Sequence, residues 1–132
     1  MNPRRKSPSA VAVLLFTFLA ACGGAGREVR VEPARDSAVT VRIQGYHFDP
    51  SLIHVPAGTR LAVRVVNETP AEHTWTLRAP DGTVWVNLVL PGGEAARTVV
   101  DLAQPGVYEF YCDRTFHPLL GMRGEIRAEA EP

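Results

Sequence analysis

Apolar and polar residues alternate along most of this chain, and this period of two constrains the fold more than any other feature. Val39, Val41 and Ile43 are apolar, whereas the residues between them are polar or charged. A period of two places successive side chains on opposite faces of an extended chain, so each such run predicts a half-buried β-strand. The predicted strands are 39–44, 61–65, 74–78, 83–89, 97–102, 107–112 and 124–128.

Proline and glycine separate these runs, and no helical period of useful length is present. The separating segments are Pro56-Ala57-Gly58, Pro80-Asp81-Gly82, Pro91-Gly92-Gly93 and Pro105-Gly106. Short strands at this spacing are typical of an antiparallel sandwich or barrel. The chain has 132 residues, of which 45% are hydrophobic, and it is therefore expected to form one all-β domain with a single core.

The first 21 residues have the composition of an export signal. Arg4, Arg5 and Lys6 precede an apolar stretch, residues 10–21, that only Thr17 interrupts. This charged-then-apolar order is typical of a secretory signal peptide. The stretch is too short to span a bilayer, which takes about 20 apolar residues.

The apolar stretch ends in Leu19-Ala20-Ala21-Cys22, which resembles the lipobox of bacterial lipoproteins. The resemblance implies that lipid is attached to Cys22. Three of the next four residues are glycine, and this flexible composition predicts a linker over residues 22–37. An ordinary signal peptide cut near Ala21 is the alternative. We expect an exported domain over residues 38–130, held by lipid on the periplasmic or other extracytoplasmic face of a bacterial membrane.

The charge balance excludes one class of function. The whole chain has 14 basic and 14 acidic residues, and removal of residues 1–21 leaves 11 basic and 14 acidic residues, a formal net charge of −3. A mildly acidic domain lacks the positive field on which nucleic-acid binding depends, so no nucleic-acid partner is expected. The domain is expected to be a monomer.

Three side chains with imidazole or sulfur groups have the parity of the predicted core. His73 shares a strand face with Trp75, and Cys112 shares one with Phe110. Met122 has the parity of the inward positions of the last strand. A histidine, a cysteine and a methionine are therefore expected to point inward near strand ends.

A predicted loop connects Cys112 to Met122. It contains His117, with four residues on each side of it, and Pro118 directly after it. Two imidazoles from His73 and His117, a thiolate and a thioether form the ligand set of a blue copper site, in which the methionine bond is long and axial. The sequence therefore predicts one copper ion as cofactor.

Each of these residues alone has a structural interpretation, and two other kinds of chemistry compete with a copper site. Cys112 and Met122 are typical core residues when taken singly. Zinc is the competing metal, but methionine is a poor zinc ligand. Nucleophilic catalysis by Cys112 with His117 leaves Met122 and the inward-pointing His73 without a role.

Two segments carry a recognisable order of residues. The first is Tyr46-His47-Phe48-Asp49-Pro50 through Pro56-Ala57-Gly58-Thr59, followed by Val65-Val66-Asn67 and His73, and the second is Pro105-Gly106-Val107-Tyr108-Glu109-Phe110-Tyr111-Cys112 with Gly121-Met122-Arg123-Gly124. Together they resemble the cupredoxins, the family of plastocyanin and azurin, over residues 38–129. The resemblance implies a Greek-key β-sandwich of about seven or eight strands and one type 1 copper, with His73, Cys112, His117 and Met122 as ligands.

The same resemblance implies one-electron transfer with redox proteins of the cell envelope, and no enzyme activity. The second histidine of the family lies in an apolar patch, which here implies a docking surface made of Pro118, Leu119 and Leu120. Inward packing of Leu119 and Leu120 is the alternative. Copper delivery or buffering without electron transfer is an alternative. A copper enzyme with an open metal position is another, and Met122 argues against it.

The same resemblance indicates residues that support the metal ligands. Thr74 stands where the family often has an asparagine that links the two ligand loops, so its hydroxyl is expected to contact the region of Asp113. His47 and His54 do not match ligand positions and are expected to be surface or strand histidines. A binuclear copper centre is excluded, because it needs a second cysteine in the loop after Cys112.

Overall fold

The computed structural model describes residues 26–31, 36–114 and 122–131. These residues form ten strands: β1 (Glu28–Arg30), β2 (Asp36–Gln44), β3 (His47–Asp49), β4 (Leu52–Pro56), β5 (Thr59–Asn67), β6 (His73–Arg78), β7 (Val84–Leu90), β8 (Ala95–Leu102), β9 (Gly106–Tyr111) and β10 (Arg123–Glu129). The described ranges contain no helix that is long and apolar enough to cross a membrane.

The strands form two sheets that enclose one core. The larger sheet has the order β1-β4-β10-β9-β6-β7 and the smaller has the order β3-β2-β5-β8. In the larger sheet β10, β9, β6 and β7 are successively antiparallel, whereas β1, β4 and β10 are parallel to one another. This arrangement is a β-sandwich, and it confirms the predicted all-β class.

The alternation in the sequence corresponds to alternate burial in the strands. In β5, Leu61, Val63 and Val65 are buried, whereas Ala62 and Arg64 between them are exposed. The seven runs predicted from alternation correspond to β2, β5, β6, β7, β8, β9 and β10. The inward face of a half-buried strand can therefore be identified from its sequence.

Alternation alone does not identify β1, β3 and β4, which raise the strand number above the expected seven or eight. β1 and β3 have three residues each, too few to establish a period. β4 buries Ile53, His54 and Val55 in succession because both of its faces are covered. β1 also lies within residues 22–37, which are predicted as a linker, so regular structure begins before residue 38. The pairing of β1 with β4 at the edge of the sheet accounts for this early strand.

Aromatic packing at the centre of the sandwich joins the two sheets. The Phe110 ring lies 5.3 Å from that of Phe48, almost perpendicular to it, and 5.6 Å from that of Trp75. A Cβ atom on Gly124 of β10 would lie only 2.3 Å from Phe110 Cζ, so no larger residue fits there without a shift of the ring. The absence of a side chain at residue 124 allows β10 to approach the aromatic cluster closely.

Asn67, at the end of β5, holds together two loops at one end of the sandwich. Its side chain is buried, and Nδ2 donates to the carbonyls of Ala71 and Leu90 at 2.7 and 2.9 Å, with Pro91 O at 3.1 Å. Its Oδ1 accepts from the backbone N–H and the hydroxyl of Thr69 at 3.0 and 2.8 Å. One side chain thus positions the loop that leads into β6.

Substitution of Asn67 is expected to destabilise the protein. Asn67→Ala leaves buried carbonyl and N–H groups without their partner, which costs about 2 to 3 kcal/mol in the free energy of unfolding. Denaturant titration measures this loss. Arg97→Ala, at an exposed strand position that contributes no ion pair within the described residues, serves as control and is expected to stay within about 0.5 kcal/mol of the parent. Equal stability of the two variants would contradict this role for Asn67.

His54 lies between two carboxylates and joins β1 to the rest of the larger sheet. Its Nε2 is 2.8 Å from Glu28 Oε1, and its Nδ1 is 2.5 Å from Glu129 Oε1. Arg30 also contacts Glu129, at 2.9 Å. The hydrogen bond from His54, followed by that from Arg30, holds the pKa of Glu129 below its ordinary value. His54 is therefore a buried strand histidine, whereas His47 on β3 is exposed.

The Glu129 contacts predict a specific pH dependence of stability. A carboxyl whose pKa is lower in the folded than in the unfolded state stabilises the fold fully above its unfolded pKa, and this contribution disappears as the pH falls through the folded pKa. Glu129→Gln is therefore expected to lower the unfolding midpoint at pH 7 and to differ less from the parent at pH 3. Denaturant titration at both pH values tests this, with Glu131→Gln as the control. A constant difference between Glu129→Gln and parent at both pH values would refute the assignment.

Candidate metal centre

Sheet topology brings three of the predicted ligands to one end of the sandwich. His73 is the first residue of β6, Cys112 directly follows β9 and Met122 directly precedes β10. Because β9 is antiparallel to both neighbours, the start of β6, the end of β9 and the start of β10 lie at the same end of the sheet. All three side chains are buried, with at most 1% of each exposed.

Two of these ligands approach each other closely. Cys112 Sγ lies 4.0 Å from His73 Nδ1. Met122 is held beside them through its backbone, because its carbonyl accepts a hydrogen bond from the Cys112 N–H at 3.1 Å. The structure therefore places His73, Cys112 and Met122 at the same end of the sandwich. His117, the predicted docking residues Pro118, Leu119 and Leu120, and the predicted lipid-attachment residue Cys22 lie outside the described residues.

The donor set fits a single soft metal ion. Two ligands of one ion can be no further apart than the sum of their bonds to it, which is about 4.3 Å for a thiolate and an imidazole, so 4.0 Å satisfies this limit. Within residues 26–31, 36–114 and 122–131, no group of three His, Cys, Asp or Glu residues is placed to hold a metal. A thioether and the histidine of the 115–121 segment would complete the set, and a thioether favours copper over zinc.

Thr74 supplies the polar surroundings of the cysteine sulfur. Its backbone N–H donates to Cys112 Sγ at 3.4 Å, and its hydroxyl oxygen lies 3.6 Å from the same sulfur. Thr74 follows His73 on β6, so one strand provides both a ligand and a donor to the other ligand. Backbone donors of this kind stabilise negative charge on sulfur.

The Thr74 hydroxyl also joins the two ligand segments on the outer face of the larger sheet. It lies 2.7 Å from Asp113 Oδ1, and it accepts a hydrogen bond from the Asp113 backbone N–H at 2.8 Å. Asn87 on β7 completes the cluster, since its Nδ2 donates to Asp113 Oδ2 at 2.6 Å and to Thr76 Oγ1 at 2.9 Å. Sequence reasoning missed Asn87, because its position depends on the pairing of β7 with β6 opposite Thr76.

These contacts keep Asp113 ionised. Desolvation raises the pKa of the Asp113 carboxyl, but hydrogen bonds from Thr74 and Asn87, the positive charge of Arg114 and a contact from Thr76 outweigh it and leave that pKa below its ordinary value. A carboxylate, which only accepts hydrogen bonds, therefore lies directly after Cys112 in the chain.

Two further contacts cover the ligand end of the sandwich. The Tyr46 ring meets the His73 imidazole edge-on, with 6.1 Å between ring centroids, and half of Tyr46 is exposed. Arg114, just after Cys112, forms an ion pair with Glu72, just before His73. Sequence reasoning assigned no role at the site to Tyr46 or to this ion pair. Only the turn at residues 45–46, which brings Tyr46 over β6, reveals the aromatic contact.

Comparison with known proteins agrees with the geometry. A family model described as a cupredoxin-like domain matches residues 9–127, and no curated protein matches. Among solved structures, the reduced auracyanin of Roseiflexus castenholzii is 17% identical, with 72% of this chain and 97% of that chain covered and a TM-score of 0.63. Auracyanin A of Chloroflexus aurantiacus, described as a "blue" copper protein, is 16% identical over 71% and 99%, with a TM-score of 0.64. Rusticyanin of Thiobacillus ferrooxidans is 15% identical over 80% and 86%, with a TM-score of 0.64.

Proposed function

The chain belongs to the cupredoxin-like family, and we propose that it binds one type 1 copper ion and carries single electrons in a bacterial cell envelope. The observation that carries the proposal is the buried pair of His73 and Cys112, 4.0 Å apart at the end of the sandwich where Met122 also lies. His73, Cys112, His117 and Met122 are the proposed ligands. The description of a similar solved structure as a "blue" copper protein supports the choice of metal.

The protein's contribution to this function is rigidity. When bound, copper supplies a one-electron couple between Cu(I) and Cu(II). His73, Cys112 and Met122 lie at the ends of paired strands, so the sheet resists movement of the ligands between the two states. Their burial excludes water from the donor atoms, and the Thr74 N–H holds the sulfur in place.

Electron entry and exit are proposed to occur through His117. The neighbouring Pro118, Leu119 and Leu120 are the proposed docking patch for a redox partner, since apolar side chains around a ligand allow close approach of another protein. The half-exposed Tyr46 lies beside His73 at the same end. No enzyme activity is proposed, because Met122 as a ligand would occupy the position on the copper that a small substrate would need.

Addition of Cu(II) to the purified protein is expected to produce an intense thiolate-to-copper absorption band in the visible region. Cys112→Ser removes the thiolate and is expected to abolish the band. Ala79→Ser, a similarly small change at a buried position, is the matched control and is expected to retain the band. Ala79 directly follows β6, at the end of that strand away from Cys112. A weakly coloured complex of the parent would refute the type 1 site.

Voltammetry on the same sample separates electron transfer from copper delivery. A carrier gives a reversible one-electron wave, and it retains its copper when challenged with a Cu(I) chelator. Rapid loss of copper to the chelator without a reversible wave would instead favour delivery or buffering.

We also propose that Cys22 carries the lipid that holds the domain at the membrane. Metabolic labelling with an alkynyl fatty acid is expected to label the parent protein and to place it in the membrane fraction. Cys22→Ser is expected to lose both properties. Cys112→Ser, which changes the other cysteine of the chain, is the matched control and is expected to keep both. Equal labelling of Cys22→Ser and the parent would overturn the anchor.

A further inference from the structure

The Thr74 hydroxyl has one proton and two acceptors within reach. The Asp113 backbone N–H already donates to Thr74 Oγ1 at 2.8 Å. The hydroxyl's own proton can therefore go either to Asp113 Oδ1, at 2.7 Å, or to Cys112 Sγ, at 3.6 Å. A hydroxyl donates one hydrogen bond only, so the two acceptors compete for it.

The distances decide this competition in favour of the carboxylate. A separation of 2.7 Å between a hydroxyl and an ionised carboxylate is typical of a strong charge-assisted hydrogen bond, whereas sulfur is a weaker acceptor and lies further away. Cys112 Sγ then receives the Thr74 backbone N–H but not the hydroxyl proton. The hydroxyl nevertheless lies close enough to donate to the sulfur after rotation about a single bond.

Asn87 holds the carboxylate in this arrangement. Its Nδ2 faces both Asp113 Oδ2 and Thr76 Oγ1, so the atom at the Oδ2 position of residue 113 must be an acceptor. If residue 113 were an asparagine, its carbonyl would take the Oδ2 position and its NH₂ group would face Thr74 Oγ1. The hydroxyl oxygen would then accept from that group, and its own proton would turn to the sulfur.

We propose that Thr74 and Asp113 form a pair that sets the reduction potential of the metal site: the Asp113 carboxylate takes the hydroxyl proton of Thr74 and so withholds a hydrogen bond from the Cys112 sulfur. Asn87 is the positioning residue of this pair. The proposal rests on the proposed copper site. A hydrogen bond to the thiolate draws electron density from the sulfur, which weakens its donation to Cu(II) and favours the reduced state. The native carboxylate therefore keeps the potential low.

A four-variant cycle separates this hydrogen bond from the charge of the carboxylate. Asp113→Asn removes a negative charge and raises the potential in any case, so the informative quantity is the effect of Thr74→Val in each background. In the parent, Thr74→Val is expected to change the Cu(I) to Cu(II) ratio at fixed potential by less than about twofold. In Asp113→Asn, it is expected to lower that ratio about tenfold, or 59 mV for a one-electron couple.

Two controls show whether the hydroxyl is responsible. Thr74→Ser keeps the hydroxyl and is expected to give the same Cu(I) to Cu(II) ratio as threonine in both backgrounds. Thr98→Val makes the same change on β8, away from the site. It is expected to change the Cu(I) to Cu(II) ratio equally in both backgrounds. The same shift for Thr74→Val in the two backgrounds would overturn the proposal.

A second measurement needs no copper. In the metal-free protein with Cys22→Ser, Cys112 is the one remaining thiol, and its infrared S–H stretch reports hydrogen bonding to the sulfur. Asp113→Asn is expected to shift this band, and Thr74→Val added to Asp113→Asn is expected to reverse the shift. An unchanged band in all variants overturns the proposal. A shifted band in a protein that forms no intense copper complex supports the hydrogen-bond exchange and refutes the copper function.

Discussion

The pairing of β9 between β6 and β10 is the constraint on which the candidate site depends. Phe110 lies opposite Leu77 on one side and Gly124 on the other, and the hydrogen bond from Cys112 N to Met122 O continues this pairing beyond the end of β9. A slip of one residue would turn Cys112 to the outer face and Phe110 out of the core. The aromatic packing that stabilises the sandwich and the position of the thiol therefore depend on the same register.

β6 serves two environments because its alternate residues face opposite sides of the sheet. His73 and Trp75 face the core, whereas Thr74 and Thr76 face the polar cluster of Asn87 and Asp113 on the outer side. These four residues of β6 are buried, since the cluster covers the outer face of the strand. The thiol of Cys112 is thus enclosed by apolar packing from within, while the Thr74 hydroxyl, which also contacts the Asp113 carboxylate, lies 3.6 Å from the sulfur on the outer side.

Sequence patterns predict those parts of the fold and site that depend on local order, and miss those that depend on long-range pairing. Alternation identifies β5 and β9, and parity places His73 and Cys112 inward, because a strand's two faces are already defined by its own residues. Asn87 and Asn67 give no such signal. Asn87 acts through a residue on another strand, and Asn67 acts through the carbonyls of Leu90 and Pro91, which only the folded chain brings within 3.1 Å of it. β1 is too short to show a period and gains its structure from β4.

The direction of β1 relates the proposed anchor to the proposed metal site. β1, β4 and β10 are parallel, and Glu28 is in register with Leu52, which is in register with Glu125 near the start of β10. The chain therefore enters β1 in the half of the sheet where Met122 lies. If Cys22 carries lipid, the five residues between it and β1 span at most about 18 Å. A tether this short, attached on the ligand side, would hold the metal end near the bilayer surface, which favours redox partners that are themselves held at the membrane over freely diffusing ones.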